Sequence, residues 1–344
     1  MDYAETADRL RDTLFETDYS VDAVADRIGA EGQRALGRNS TIAAEWALGS
    51  QTDPLASLTR LWLLQQPVPR RLVEQALPGL VEPLVAADIL TTDHQNVQAV
   101  VDVRPYAADD GTAGWVVSDL VNGLDALAGP PRPDYVLGIS PASTSLAQMT
   151  IREPMGAALD LGAGCGVQSL HLARHAQRVV ATDLNPRANT LAAWTFRLSG
   201  IAPQQRLGSL YEPVAGEKFD LIVTNPPYVI SPPDDNRLVY RQGTLPADRL
   251  VETVVRDSVH HLNPAGSLQI LGNWAVLDPD RWAERLRGWI PPGCDALVVE
   301  RERLDPFEYI EIWLADAGLV GHSDHGRRYR EWLDYFDDLG VTGV

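Results

Sequence analysis

Cysteine is nearly absent, with two residues in 344, Cys165 and Cys294. Two thiols give no disulfide framework and no thiolate cluster for a structural metal, and they fit a reducing cytoplasm. Long apolar runs are missing too. Nowhere do about 18 apolar residues follow one another, and residues 1–10 carry acids without an apolar core, which speaks against a membrane helix and a secretory leader. Basic residues are scarce. Lys and Arg number 29 against 47 Asp and Glu, a formal net charge of -18 with a pI near 4.7. Affinity for a phosphate backbone comes from counterions displaced by Lys and Arg, so this balance tilts the choice of partner from nucleic acid towards protein. The chain also lacks any repeat of fixed period and any low-complexity tract.

What remains is ordinary globular composition, 45% hydrophobic and 22% charged, with room for two domains at roughly 150 residues each. Residues 3–77 carry helical spacing, in Leu10 and Leu14 and again in Val21, Val24 and Ile28, and Pro67 and Pro69 break the run before a further helix. From Val97 to Val103 apolar residues alternate with polar ones apart from Val100, a turn follows at Asp110-Gly111, and Trp115 begins a return strand. Helices followed by a hairpin suggest either a winged-helix-like substrate-recognition module or a helical cap with a β flap. Three prolines between Gly129 and Pro133 forbid a regular element, so domains of 1–128 and 135–344 are expected around a Pro-rich linker at 129–134.

Beyond Tyr135 the rhythm is strand, glycine turn, helix, strand: 157–161, a helix to about Ala176, then 179–182, with later apolar runs at 221–223, 268–271 and 296–299. This alternation predicts an α/β fold with a Rossmann-like, doubly wound and mostly parallel sheet. The loop Gly162-Ala163-Gly164-Cys165-Gly166 leaves the first strand and lets backbone approach a ligand at the strand end. Val167 stands where a dinucleotide fingerprint has its third glycine, which weakens a nicotinamide reading. Asp183 ends the next strand, where a carboxylate can accept both hydroxyls of a ribose; capping of the helix that follows is the plainer role.

The run Asn225-Pro226-Pro227-Tyr228 follows an apolar strand. Paired prolines stop the ladder and stiffen the backbone. The Asn225 side-chain oxygen and the Pro226 carbonyl can each accept one hydrogen of an NH2 group, while Tyr228 can pack on its flat face. An amide or exocyclic amine needs such holding, because its lone pair is delocalised and only positioning aims it at a methyl donor. Other residues are less specific. His171 and His175 share a helix face but have no acidic third ligand, so no metal is expected. Arg241, in the loop after the motif, and Asn273 and Trp274, after the strand at 268–271, are placed to edge a substrate site.

With these motifs the chain resembles the class I methyltransferases, in particular the HemK/PrmC-like group that methylates glutamine amides in release factors, and also the small-domain ribosomal RNA guanine N2-methyltransferases. The resemblance runs from about residue 135 onward. It implies strand order 3-2-1-4-5-7-6, S-adenosyl-L-methionine as cofactor, and methyl transfer to nitrogen. By the same resemblance the cofactor residues are Asp160, Gly162, Ala163, Gly164, Cys165, Gly166, Asp183, Leu184, Ser209, Leu210 and Asn225, with Gly208 to Leu210 beside the adenine and a helix at 140–149 over the cofactor. It assigns Asn225, Pro226, Pro227 and Tyr228 to catalysis. The acceptor expected first is a protein glutamine in a release factor or ribosome-associated protein. An RNA or DNA base amine, guanine N2 or adenine N6, comes second, and a non-catalytic cofactor-binding module third; no membrane partner is expected. The residues 340–344 read as a strand begun and not finished, which suggests a chain lacking C-terminal residues.

Overall fold

The computed structural model describes residues 2–126, 132–233, 238–243 and 245–344. Half of the expected linker, 129–131, lies outside the described residues. The N-terminal part is helical, as its spacing predicts: α1 (Tyr3–Glu16), α2 (Val21–Leu36), α3 (Ile42–Leu48) and α4 (Pro54–Leu58). Leu10, Leu14, Val24 and Ile28 turn inwards. The Ser20 hydroxyl accepts the Ala23 N–H to start α2, and Asp53 accepts the Ala56 N–H to start α4, whose first residue is proline; both satisfy otherwise orphaned donors.

A short strand, β1 (Val68–Pro69), precedes α5 (Arg70–Ala76) and α6 (Val81–Ala86). Then come β2 (Leu90–Thr92) and β3 (Asn96–Ala99), which join β1 in a three-stranded antiparallel sheet of order β1-β3-β2. Helix, strand, two helices and hairpin is the order of a winged helix. The hairpin itself differs from the sequence reading. Two hairpins form: the ladder of β2 and β3 runs on to Val100, whose N–H bonds to the Ile89 carbonyl, and the chain bends there into a second pair of strands. The second hairpin pairs β4 (Val101–Ala107) with β5 (Ala113–Asp119) across the expected turn.

The C-terminal part is α/β. Its elements are α7 (Pro141–Met149), β6 (Met155–Leu161), α8 (Val167–Leu172), β7 (Ala176–Asp183), α9 (Pro186–Leu198), β8 (Gln204–Leu207), β9 (Phe219–Thr224), α10 (Arg249–Asp257), β10 (Leu262–Ile270), α11 (Trp282–Arg287), α12 (Pro306–Asp316) and α13 (His325–Leu339). The five strands form one parallel sheet of order β10-β9-β6-β7-β8, the Rossmann-like arrangement 3-2-1-4-5. α8 is shorter than expected, since Ala176 already belongs to β7.

The expected last strand is corrected here. Residues 296–299 form no strand: Leu297 and Val299 are exposed, and no described residue pairs with the segment. The sheet therefore ends at β10, without a 7-6 hairpin. The extended residues 342–344 are paired, with Thr342 and Gly343 bonded to Val276 and Val344 exchanging both backbone bonds with Leu304 at 2.9 and 3.0 Å.

One hydrophobic core crosses position 128. Leu10, Trp62 and Val117 from the N-terminal side belong to the same buried cluster as Val167, Leu191 and Trp194 of α8 and α9. The edge of β5 is closed by α9 side chains. Val117 N–H donates to Thr195 Oγ1 at 2.9 Å, Trp115 N–H donates to Ser199 Oγ at 3.0 Å, and Arg187 pairs with Asp119. β5 thus runs along α9, and only its Asp119 end, held by Arg187 at the start of α9, lies beside the carboxyl ends of the parallel strands, where sites in such sheets lie.

Candidate active site

A cleft opens over the ends of β6, β7 and β9, lined by Gly162, Ala163, Gly164 and Cys165, by Asp183 and Leu184, by Gly208, Ser209 and Leu210, and by Asn225, Pro226 and Pro227. Three sequence motifs, more than 60 residues apart at their extremes, thus meet in one concavity. Gly162 and Gly164 have φ of 75° and 55°, a region that side chains rarely adopt. Their missing Cβ atoms leave bare backbone facing the cleft, the surface a ligand needs to approach closely.

Asp183 sits half-buried at the end of β7, its carboxylate accepting the N–H of Gly164 and of Asn185, each at 2.8 Å. The helix-capping role belongs to Asn185, whose side chain accepts the Arg187 N–H at 2.9 Å. Burial raises the Asp183 pKa, against the opposing pull of those backbone donors. Asp183 therefore has no structural duty as a cap, and it lines the cleft.

Asn225 directly follows β9, whose last residue, Thr224, donates its hydroxyl to the Leu161 carbonyl at 2.6 Å and ties the two strand ends together. The Asn225 Oδ1 is buried and has no hydrogen-bond partner among the described residues. A buried amide oxygen left unpaired costs about 1–3 kcal/mol. Such an orphan in a cleft wall is what a site built for an N–H donor looks like before the donor arrives.

Several sequence-assigned residues stand elsewhere. Asp160 lies under the loop, fully buried, accepting the Ser169 hydroxyl at 2.6 Å, and burial pushes its pKa up to about 7. Gly166 begins α8 with φ 83°, and a Cβ there would come within 2.4 Å of the Phe196 ring; its constraint is packing. Tyr228 does not line the cleft and packs against the cluster of Val251, Leu286 and Trp289, its backbone bridging Gln242 after the paired prolines. Trp274 stacks on Trp282 at 5.6 Å and does not reach the cleft. Arg241 does not line the cleft: it is buried, paired with Asp316 and the Trp313 carbonyl. Asn273 donates to the Tyr309 hydroxyl at 2.9 Å.

The aromatic faces in the cleft are Tyr135 and Tyr240, in edge contact with ring centres 5.4 Å apart. Motif reading missed Tyr135, and the only hint for Tyr240 was its place in the loop after the prolines. From above, α7 covers the cleft with Ser140 and Ser143, which form a reciprocal cap at its start. Gln168 of α8 donates to the Ser143 carbonyl at 2.7 Å and holds α7 in place. His171, the weighed metal ligand, is buried between Asp110 and Tyr106, each at 2.8 Å. No group of three metal-ligating side chains occurs among the described residues. No helix among them is long and apolar enough to cross a membrane.

Comparisons with known proteins match two stretches of the chain. Residues 138–281 match the family described as methyltransferase small domain, and residues 16–100 match a domain of unknown function, DUF7059. The ribosomal RNA small subunit methyltransferases C of Escherichia coli and Escherichia fergusonii are 28% identical over 145 residues, covering 42% of this chain and 38% of theirs. The match thus spans well under half the length of those relatives. Among solved structures, a 16S rRNA N2 methyltransferase of T. thermophilus is similar with a TM-score of 0.37 and 17% identity, over 54% of this chain and 49% of that one. A methyltransferase from Pyrococcus furiosus has a TM-score of 0.32 and 16% identity, over 44% and 70%.

Proposed function

We propose that this chain, a class I methyltransferase of the small-domain type, transfers the methyl group of S-adenosylmethionine to an exocyclic amine of a nucleobase in RNA, of the guanine N2 kind. The observation that carries the reading is the unpaired, buried Asn225 Oδ1 in a cleft that also holds the glycine loop and Asp183. The glycine loop and Asp183 would hold the cofactor, the backbone of Gly162 and Gly164 at its methionine end and the Asp183 carboxylate on its ribose. When bound, the cofactor supplies an electrophilic methyl group.

Asn225 Oδ1 and the Pro226 carbonyl accept the two hydrogens of the acceptor NH2. With both hydrogens fixed, the nitrogen lone pair is turned out of the ring π system and aimed across the cleft. Positioning of this sort lowers barriers by several kcal/mol. Tyr240 supplies the flat face on which the base rests, the part the sequence gives to Tyr228. The matched family and the ribosomal RNA methyltransferase relatives support RNA ahead of protein.

A protein glutamine amide is the second reading, favoured by the net charge of -18, which weakens long-range attraction to phosphate. One experiment separates them. The enzyme is incubated with labelled cofactor and purified ribosomal RNA, transfer RNA or release factors, and each pool is digested with nuclease or protease. The RNA reading expects label that nuclease releases and protease does not; label released only by protease overturns it.

A further inference from the structure

A second cavity, of about 260 Å³, adjoins the cleft and shares Tyr135, Leu137, Gly138 and Tyr240 with it. Its opposite wall is one face of the N-terminal hairpin. Asp102 and Arg104 of β4 stand across from Ser118 and Val116 of β5, in register, and all four line the cavity. Alternation along a hairpin predicts that this polar face meets solvent. Instead the segment at 135–139 passes over it, an approach that needs glycine, since a Cβ at Gly138 would lie 2.6 Å from the Ser118 hydroxyl.

The pair inside is incomplete. Arg104 donates to Asp102 Oδ2 at 2.9 Å, yet Asp102 Oδ1 and Arg104 Nε are both buried with no hydrogen-bond partner. Asp102 is 2% exposed. A buried carboxylate beside a half-buried guanidinium is held at a cost unless its remaining sites are filled. Both residues line the cavity, whose walls include two tyrosine rings, and neither orphaned atom has a partner among the described residues.

We infer that this cavity is a base-recognition subsite that takes a nucleobase presenting an N–H beside a C=O on one edge, guanine or uracil, with Asp102 accepting from the N–H and Arg104 donating to the C=O. The inference rests on the RNA reading for the source of the base. Adenine and cytosine present an unprotonated ring nitrogen in place of the N–H. A site built around a buried carboxylate rejects that edge strongly, because the carboxylate is left unpaired.

The test is calorimetry on the full chain saturated with S-adenosylhomocysteine, titrated with guanosine, uridine, adenosine, cytidine and N-acetylglutamine amide. Guanosine and uridine are expected to bind at least about tenfold tighter than adenosine and cytidine. Asp102→Asn and Arg104→Met should each remove that preference. Unchanged S-adenosylhomocysteine affinity in both variants shows that they fold. Equal binding of the four nucleosides, no saturable binding of any, a preference that survives both substitutions, or Asp102-dependent binding of the glutamine amide alone would overturn the inference. Because binding is read without methyl transfer, the two ideas fail separately. RNA methylation without this preference removes the subsite, and Asp102-dependent guanosine binding without RNA methylation removes the RNA reading.

Discussion

The Gly164 N–H donates to the Asp183 carboxylate at 2.8 Å, so the loop that leaves β6 and the acid that ends β7 form one hydrogen-bonded unit. The glycine loop cannot shift without moving the acid. This coupling makes the cleft a preformed site, in which a ligand meets both groups at fixed separation.

Replacing Asp183 by Ala should therefore weaken S-adenosylmethionine binding by roughly 1.5–3 kcal/mol, the scale of hydrogen bonds to a charged group. Calorimetry on the variant, with its melting temperature as a check on folding, measures this. An unchanged affinity removes Asp183 from the ribose.

Asn225→Ala should do the reverse, sparing cofactor affinity while slowing single-turnover methylation by at least about 100-fold, the scale of lost positioning. Its folding stability should hold or rise slightly, because the buried Oδ1 that goes is unpaired. Parent-like turnover would rule out the amine clamp.

The catalytic half was legible because its signals are local. An apolar strand, a glycine turn and a terminal acid are each spelled out in a few consecutive residues, and the parallel order follows from their alternation. The Asx turn of the first hairpin was legible and missed: Asp93 Oδ1 accepts the N–H of Gln95 and Asn96 at 2.7 and 2.6 Å, the short-range bonding that marks such turns. What could not be read is tertiary. Whether Tyr228 or Tyr240 faces the cleft depends on the pairing of Tyr228 with Gln242, and the apolar run at 296–299 looks like a strand until a partner ladder fails to appear.

A pH dependence follows from the buried contact of Asp110 with His171. Burial alone would raise the Asp110 pKa, but the hydrogen bonds from His171 and Thr112, together with the charge of His171, hold it well below the ordinary 3.8. A carboxyl depressed on folding contributes stability that is full above its unfolded pKa and is lost as pH falls through the folded value. Asp110→Asn should lower the unfolding free energy at pH 7, and the gap between variant and parent should begin to narrow below about pH 4 and close only as pH falls through the folded value. Denaturant titrations at pH 7, 5 and 3 read it; a gap that stays constant with pH would show the loss to be steric.

The junction between the halves rests on Thr195, which is fully buried on α9 and receives the Val117 N–H at 2.9 Å. Thr195→Val keeps the shape and removes the acceptor, so the Val117 donor is left buried and unpaired. A cost of about 1–3 kcal/mol is expected. Thr195→Ser keeps the oxygen and loses a methyl group, and should cost about 1 kcal/mol. Because one core crosses position 128, the loss should appear as a lower midpoint of a single unfolding transition followed by both tryptophan fluorescence and circular dichroism. Two separated transitions in Thr195→Val, with the later one at the parent midpoint, would mean that the N-terminal module folds independently of the sheet. The shared cluster of Trp62, Val117 and Trp194 argues against that outcome, since neither half can keep those side chains buried alone.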